Sequence, residues 1–196
     1  MKNFTLFVAL LGSLAAAEDN GLYDPAPPAN SAFVRVINAP AGTLGGKAVT
    51  ADKGTASVYV VVPQGEFDAK VGAAAGKLKV EAGKFYSVVP SGNRLVLLTD
   101  PAMESRAKAL LVIYNLSKAA SVDLKTADGK TTVVKGVKAG DSGNRAVNGV
   151  TVDLAAFAGD KALGTLKGVK LERGNTYAVV VTDGGVTLTM GSTKTK

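Results

Sequence analysis

The chain of 196 residues contains no cysteine, no histidine and no tryptophan. Without cysteine there can be no disulfide, no thiolate and no lipid-anchored N-terminal cysteine, so packing alone must hold the fold. Without histidine as well, the usual nucleophile–base pairs and the common zinc sites cannot be assembled. The sequence therefore predicts no catalytic residue, no metal and no cofactor. Aromatic residues make up only 6%. No dense run of Lys and Arg occurs, so the usual signs of a nucleic-acid groove are missing. Long apolar runs are also missing beyond the first residues. The one that exists, Phe4–Leu14, follows Lys2 and precedes Ala15-Ala16-Ala17. That is the pattern of an export signal cleaved after residue 17, and it is shorter than the roughly 20 residues a spanning helix needs.

What is present is a repeat. Leu78–Val89, LKVEAGKFYSVV, returns as Val169–Val180, VKLERGNTYAVV, at an offset of 169 − 78 = 91 positions. Both copies place Glu-x-Gly between apolar stretches rich in Tyr and Val, which reads as strand, turn, strand. Upstream, Phe33–Asn38 (FVRVIN) matches Leu110–Asn115 (LLVIYN) at an offset of 115 − 38 = 77, so the second copy is longer by 91 − 77 = 14 residues. Two copies of one unit predict two copies of one domain. Period-two alternation, closely spaced turn signals and the lack of helical periodicity predict an all-β chain of two tandem, Ig-like β-sandwich domains.

The expected organisation is a signal peptide over 1–17, a Pro-rich arm over 18–31 and a first sandwich over 32–99. A short linker over 100–108, a second sandwich over 109–192 and a tail over 193–196 follow. About six strands are expected in the first sandwich, with loops at Gly42–Gly46, Gly72–Gly76 and Lys138–Arg145, and room for one helical turn within Thr99–Ala107. Asp128-Gly129 predicts a two-residue hairpin turn.

Charge is unevenly spread. The formal net charge is +7, and residues 109–196 carry 12 Lys or Arg against 7 Asp or Glu. Lys125, Lys130, Lys135, Lys138 and Arg145 lie close along one hairpin and loop and could contact an acidic polymer; a solvated hairpin is the plainer alternative. In the arm, Tyr23 is the one large aromatic and could dock it on a domain or partner. Gly140-Asp141-Ser142-Gly143-Asn144 contains a GDS string like those around esterase nucleophiles. With no imidazole, only a Ser142–Lys138 pair is open to it, and a polar turn explains it as well. Glu81 and Glu172, being repeated, read as structural carboxylates that accept backbone N–H bonds beside a turn Gly, and Tyr86 and Tyr177 as core residues.

Five pieces occur in order along the chain: LYDP at Leu22–Pro25, SAFVRVIN at Ser31–Asn38, KALLVIYNLS at Lys108–Ser117, LKTADGKTTVVK at Leu124–Lys135 and NRAVNGVTVDLAAF at Asn144–Phe157. In their number and order they resemble the AlgF family of alginate O-acetylation proteins. The Gly- and Ala-rich filling at Gly42–Gly46 and Gly72–Gly76 departs from it. The resemblance implies a periplasmic location in an alginate-making Gram-negative bacterium. It implies accessory work beside SGNH-type periplasmic acetyltransferases and a membrane acyl-transfer component, with no catalytic residue to carry over. Three readings are open at this point: an adaptor between acetyltransferase components, a module that binds polymannuronate, and a covalent acetyl relay.

Overall fold

The computed structural model describes residues 26–191. The expected signal peptide, the arm as far as Pro25 with Tyr23, and the tail over 193–196 lie outside those residues. Every regular element described is a β-strand. The first half holds β1 (Ser31–Val36), β2 (Gly42–Leu44), β3 (Lys47–Val49), β4 (Val60–Pro63), β5 (Gly65–Val71), β6 (Ala74–Val80), β7 (Phe85–Ser91) and β8 (Arg94–Asp100). The second half holds β9 (Ala109–Asn115), β10 (Ser121–Thr126), β11 (Thr132–Lys138), β12 (Ser142–Val147), β13 (Val150–Ala158), β14 (Lys161–Leu171), β15 (Thr176–Thr182) and β16 (Gly185–Gly191).

The strands form four sheets, ordered β4-β1-β7-β8 and β3-β2-β5-β6, then β12-β9-β15-β16 and β11-β10-β13-β14. Adding eight to each label of the first two sheets reproduces the second two, so the repeat extends from sequence to topology. In both halves the first and seventh strands pair in parallel, β1 with β7 and β9 with β15. The tandem sandwiches expected from the repeat are therefore present. The extra residues of the second copy lengthen its outer sheet: β13 and β14 have 9 and 11 residues where β5 and β6 have 7 each.

Alternation explains the outer strands. In β5, Phe67, Ala69 and Val71 point into the core while Glu66, Asp68 and Lys70 face water, as a half-buried strand requires. In β9 all seven residues, ALLVIYN, are buried, because both faces are covered. Ala109, Leu111 and Ile113 pack with Val122, Leu124 and Leu154 in the core of the second sandwich. Leu110, Val112 and Tyr114 pack on the other side with Ile37 and Val89 of the first. The molecule thus has three apolar layers: one inside each sandwich and one between them. Full burial of each Leu or Val contributes roughly 1.5–3 kcal/mol, so the middle layer is no incidental contact.

Several local expectations are corrected. The first half has eight strands rather than about six, because β2 and β3 have only three residues each, too short for a visible alternation. The Gly42–Gly46 loop is partly β2, and β6 starts at Ala74 inside the expected Gly72–Gly76 loop. Much of the expected Lys138–Arg145 loop is β12, an edge strand whose exposed Asn144 and Arg145 hide its period. Within Thr99–Ala107 no helix forms, but one hydrogen-bonded turn closes its end, where the Lys108 N–H donates to the Ser105 carbonyl at 3.3 Å. Nor is Asp128-Gly129 a two-residue primed turn. Gly129 has φ 74° but Asp128 is not left-handed, and the Gly129 N–H donates to the Thr126 carbonyl at 2.8 Å. A five-residue loop between β10 and β11 results.

Candidate functional site

The faces of β1 and β9 that meet carry the largest convergence of polar side chains in the described residues. Arg35 lies mid-strand in β1 between Val34 and Val36, which point into the first sandwich. Strand alternation turns Arg35 the opposite way, toward the second sandwich, where it is 1% exposed. Its Nε donates to Ser87 Oγ at 2.9 Å and its Nη2 to the Tyr114 hydroxyl at 2.8 Å. Asp100, the last residue of β8, has Oδ2 3.5 Å from Arg35 Nε. That oxygen accepts from Ser87 Oγ and from the Tyr59 hydroxyl, both at 2.6 Å. The other carboxylate oxygen accepts from the Tyr114 hydroxyl. The guanidinium lies over the Tyr59 ring, 4.6 Å from its centre.

The electrostatics follow from burial. Desolvation drives the Tyr59 and Tyr114 hydroxyls well above the ordinary tyrosine value of 10.0, so both remain donors at neutral pH. Burial works against the Arg35 charge, but Tyr114, Tyr59 and Asp100 outweigh it and hold its pKa above the usual value. Among the described residues no buried side-chain nitrogen or oxygen lacks a partner. Ser87 is 0% exposed and its hydroxyl already donates and accepts, so it is not placed to attack a substrate. The cluster can fix geometry; it offers no reactive group to solvent. Beside it, Pro101–Ser105 of the linker and Lys108, Leu110, Asn144 and Ala146 line an open groove of about 460 Å³.

The sequence singled out other positions. Lys125 on β10 is ion-paired with Asp123 at 3.5 Å, and its Nζ lies 5.4 Å from the centre of the Phe157 ring. Lys130, in the loop after β10, is 3.9 Å from the Asp128 carboxylate. Lys135 and Lys138 are exposed on β11, with Lys138 opposite Ser121. Arg145 on β12 donates through Nη1 to the carbonyls of Thr132 and Val133, each at 3.1 Å. It thereby stitches the edges of the two sheets together. The bases do gather along one edge of the second sandwich, on β10, β11 and β12, yet Lys125 and Arg145 have partners within the chain. In the GDS string, Asp141 Oδ1 accepts the Ser142 backbone N–H at 2.8 Å, and Ser142 begins β12 opposite Tyr114.

The repeated residues are structural, by a different route from the one expected for the glutamates. Tyr86 and Tyr177 are buried. Their hydroxyls accept the backbone N–H of Glu81 at 3.2 Å and of Glu172 at 2.8 Å, the corner arrangement known from β-sandwiches. The carboxylates bind side chains instead of backbone: Glu81 meets Lys84 at 2.5 Å and Glu172 meets Lys170 at 2.7 Å. Those hydrogen-bonded lysines hold both glutamates below the ordinary carboxylate range. Among the described residues no group of three or more acidic side chains could hold a metal ion, and no helix is long and apolar enough to cross a membrane.

No local pattern in the sequence marks Arg35, Tyr59, Ser87, Asp100 or Tyr114 as a group. Only Arg35 left a trace, as one charge inside the apolar run FVRVIN.

Comparison with known proteins gives consistent similarities. The family described as "Alginate O-acetyl transferase AlgF" matches residues 5–178. The chain is 39% identical over 176 residues to "Alginate biosynthesis protein AlgF" of Pseudomonas putida, covering 87% of this chain and 81% of that protein. It is 35% identical over 182 residues to the protein of that name from Pseudomonas aeruginosa, covering 87% and 82%. A solved structure of the C-terminal domain of AlgF from P. aeruginosa matches at 42% identity, with TM-score 0.38, covering 43% of this chain and 97% of that one.

Proposed function

Because the chain belongs to the AlgF family, whose work is alginate biosynthesis and O-acetylation, we propose that it is a non-catalytic adaptor of that process. On this reading it acts in the periplasm once residues 1–17 are removed. There it brings periplasmic SGNH-type acetyltransferases together with one another or with the membrane acyl-transfer component.

The family's description includes the word transferase, but acyl transfer needs an activated nucleophile or a general base. The chain has no His and no Cys. The observation that carries the adaptor reading is the closed cluster at Arg35. Among the described residues, the buried convergence of ionisable and hydroxyl groups is satisfied internally, so the surfaces of the two sandwiches are left for binding. The polymer-binding reading is weaker, since Lys125 and Arg145 are engaged by Asp123, Phe157 and two carbonyls.

The test is co-purification of the tagged mature chain with the acetyltransferases, followed by NMR titration at low salt. A complex with one or more of them is expected, with no acetyl transfer to oligomannuronate by the chain alone. Turnover by the isolated chain, or no complex with any component, would sink the proposal. Shifts on adding oligomannuronate alone would move the assignment to the polymer-binding reading.

A further inference from the structure

The two halves share a topology but diverge where they touch. Across the parallel β1–β7 pair Arg35 stands opposite Ser87; at the same place in the second half Val112 stands opposite Ala178. Asp100 pairs with Phe85 at the end of β8, and its counterpart Gly191 pairs with Thr176 at the end of β16. The ion pair and serine of the first half are thus replaced by two small apolar residues and a glycine. The offset of 77 aligns Tyr114 with Ile37, so the second half returns one hydroxyl where the first has an aliphatic chain. A Cβ on Gly191 would lie at an ordinary contact distance of 3.6 Å from Arg35 Nη1, which places β16 directly against the guanidinium. The faces are complementary, with the first half supplying both charges and the second the Tyr114 hydroxyl that bridges them.

We propose that Arg35, Asp100, Ser87, Tyr59 and Tyr114 form an orientation lock that holds the two sandwiches as one rigid body in a single relative register. The apolar layer between them supplies attraction but little direction, since burial of area is non-directional. The cluster supplies direction, because a slide of one residue would take the Tyr114 hydroxyl away from both the buried guanidinium and the buried carboxylate, leaving each a bond short where water cannot replace it. The lock also opposes the wrong pairing. Two first-half faces from separate copies would bring two Arg35 side chains together with no Tyr114 between them. Contacts at the rim reinforce the same register: Thr187 Oγ1 donates to the Gly54 carbonyl, the Ala56 N–H donates to Thr189 Oγ1 at 3.4 Å, and Met103 of the linker packs into the shared layer. Any partner surface that spans both sandwiches is therefore formed before the partner arrives.

The full chain, isotopically labelled, can be read by residual dipolar couplings. In the native protein one alignment tensor should fit the amides of both halves. Tyr114→Phe keeps the ring but loses the hydroxyl that bridges Arg35 and Asp100. It should require two tensors, while amide shifts in the outer sheets stay unchanged. A double variant, Arg35→Met with Asp100→Leu, separates positioning from stability. It should remain folded with a melting temperature near the native one and still lose the common tensor. Two tensors in the native protein, or one tensor retained in both variants, would overturn the lock.

Discussion

Asp100 approaches Arg35 to 3.5 Å inside a shell of Tyr59, Ser87 and Tyr114 that leaves neither charge exposed. Such a pair adds little net stability, because desolvation offsets most of the attraction, but removing one member strands the other.

Asp100→Asn should therefore cost about 3–5 kcal/mol, whereas the combined Arg35→Met and Asp100→Leu replacement should regain most of that loss. Urea unfolding of the two variants beside the native chain checks this. A single replacement that costs no more than a surface substitution would show the pair to be exposed in solution.

High pH should reveal the two buried hydroxyls. The folded-state values of Tyr59 and Tyr114 are raised above 10.0 by burial, so the unfolded chain ionises first. Their contribution is complete below the unfolded value, near pH 10, and falls as pH rises toward the folded values. Each tyrosine can remove up to about 1.4 kcal/mol per pH unit in that range. Urea midpoints measured between pH 8 and pH 12 should fall more steeply for the native chain than for Tyr59→Phe. Parallel slopes would rule the account out.

Two glycines should respond oppositely to alanine. A Cβ at Gly164 would lie 2.9 Å from Val186 Cγ2 and 3.1 Å from the Val186 backbone nitrogen. That overpacking should cost roughly 1–3 kcal/mol. At Gly76 a Cβ meets nothing within 4 Å, and the backbone there is not left-handed. Gly76→Ala should be neutral or stabilising by up to about 1 kcal/mol. Thermal melts of the two variants that move in the same direction would count against the packing described for β14 and β16.

How much of this was legible depends on distance along the chain. The repeat of Leu78–Val89 at Val169–Val180 was visible because strand, turn and corner tyrosine are local, and Tyr86 and Tyr177 proved buried as their matched settings implied. β12 was missed because Asn144 and Arg145 sit on an exposed edge, where nothing enforces alternation. The cluster could not be read at all. Arg35 looks like an odd charge in a strand and Asp100 like the start of a linker before Pro101. Strand pairing within the first half brings Ser87 to Arg35 across 52 residues, and the stacking of two sheets brings Tyr114 across 79. At the cluster the two copies differ, with Arg35, Ser87 and Asp100 of the first half replaced by Val112, Ala178 and Gly191. The differences that matter most were single substitutions within matched strands rather than the inserted length.

The parallel pairing of β1 with β7 has a kinetic consequence. Arg35 and Ser87 are 52 residues apart, and the second half repeats the arrangement between β9 and β15. Neither opening strand can complete its sheet until the seventh strand of its half arrives. Contacts this remote in sequence are slow to close, placing the chain among the folders that take milliseconds to seconds. During that wait the apolar edge of β9 is open on two faces at once. It is the segment most open to wrong pairing, and its burial closes both the second core and the layer between the halves.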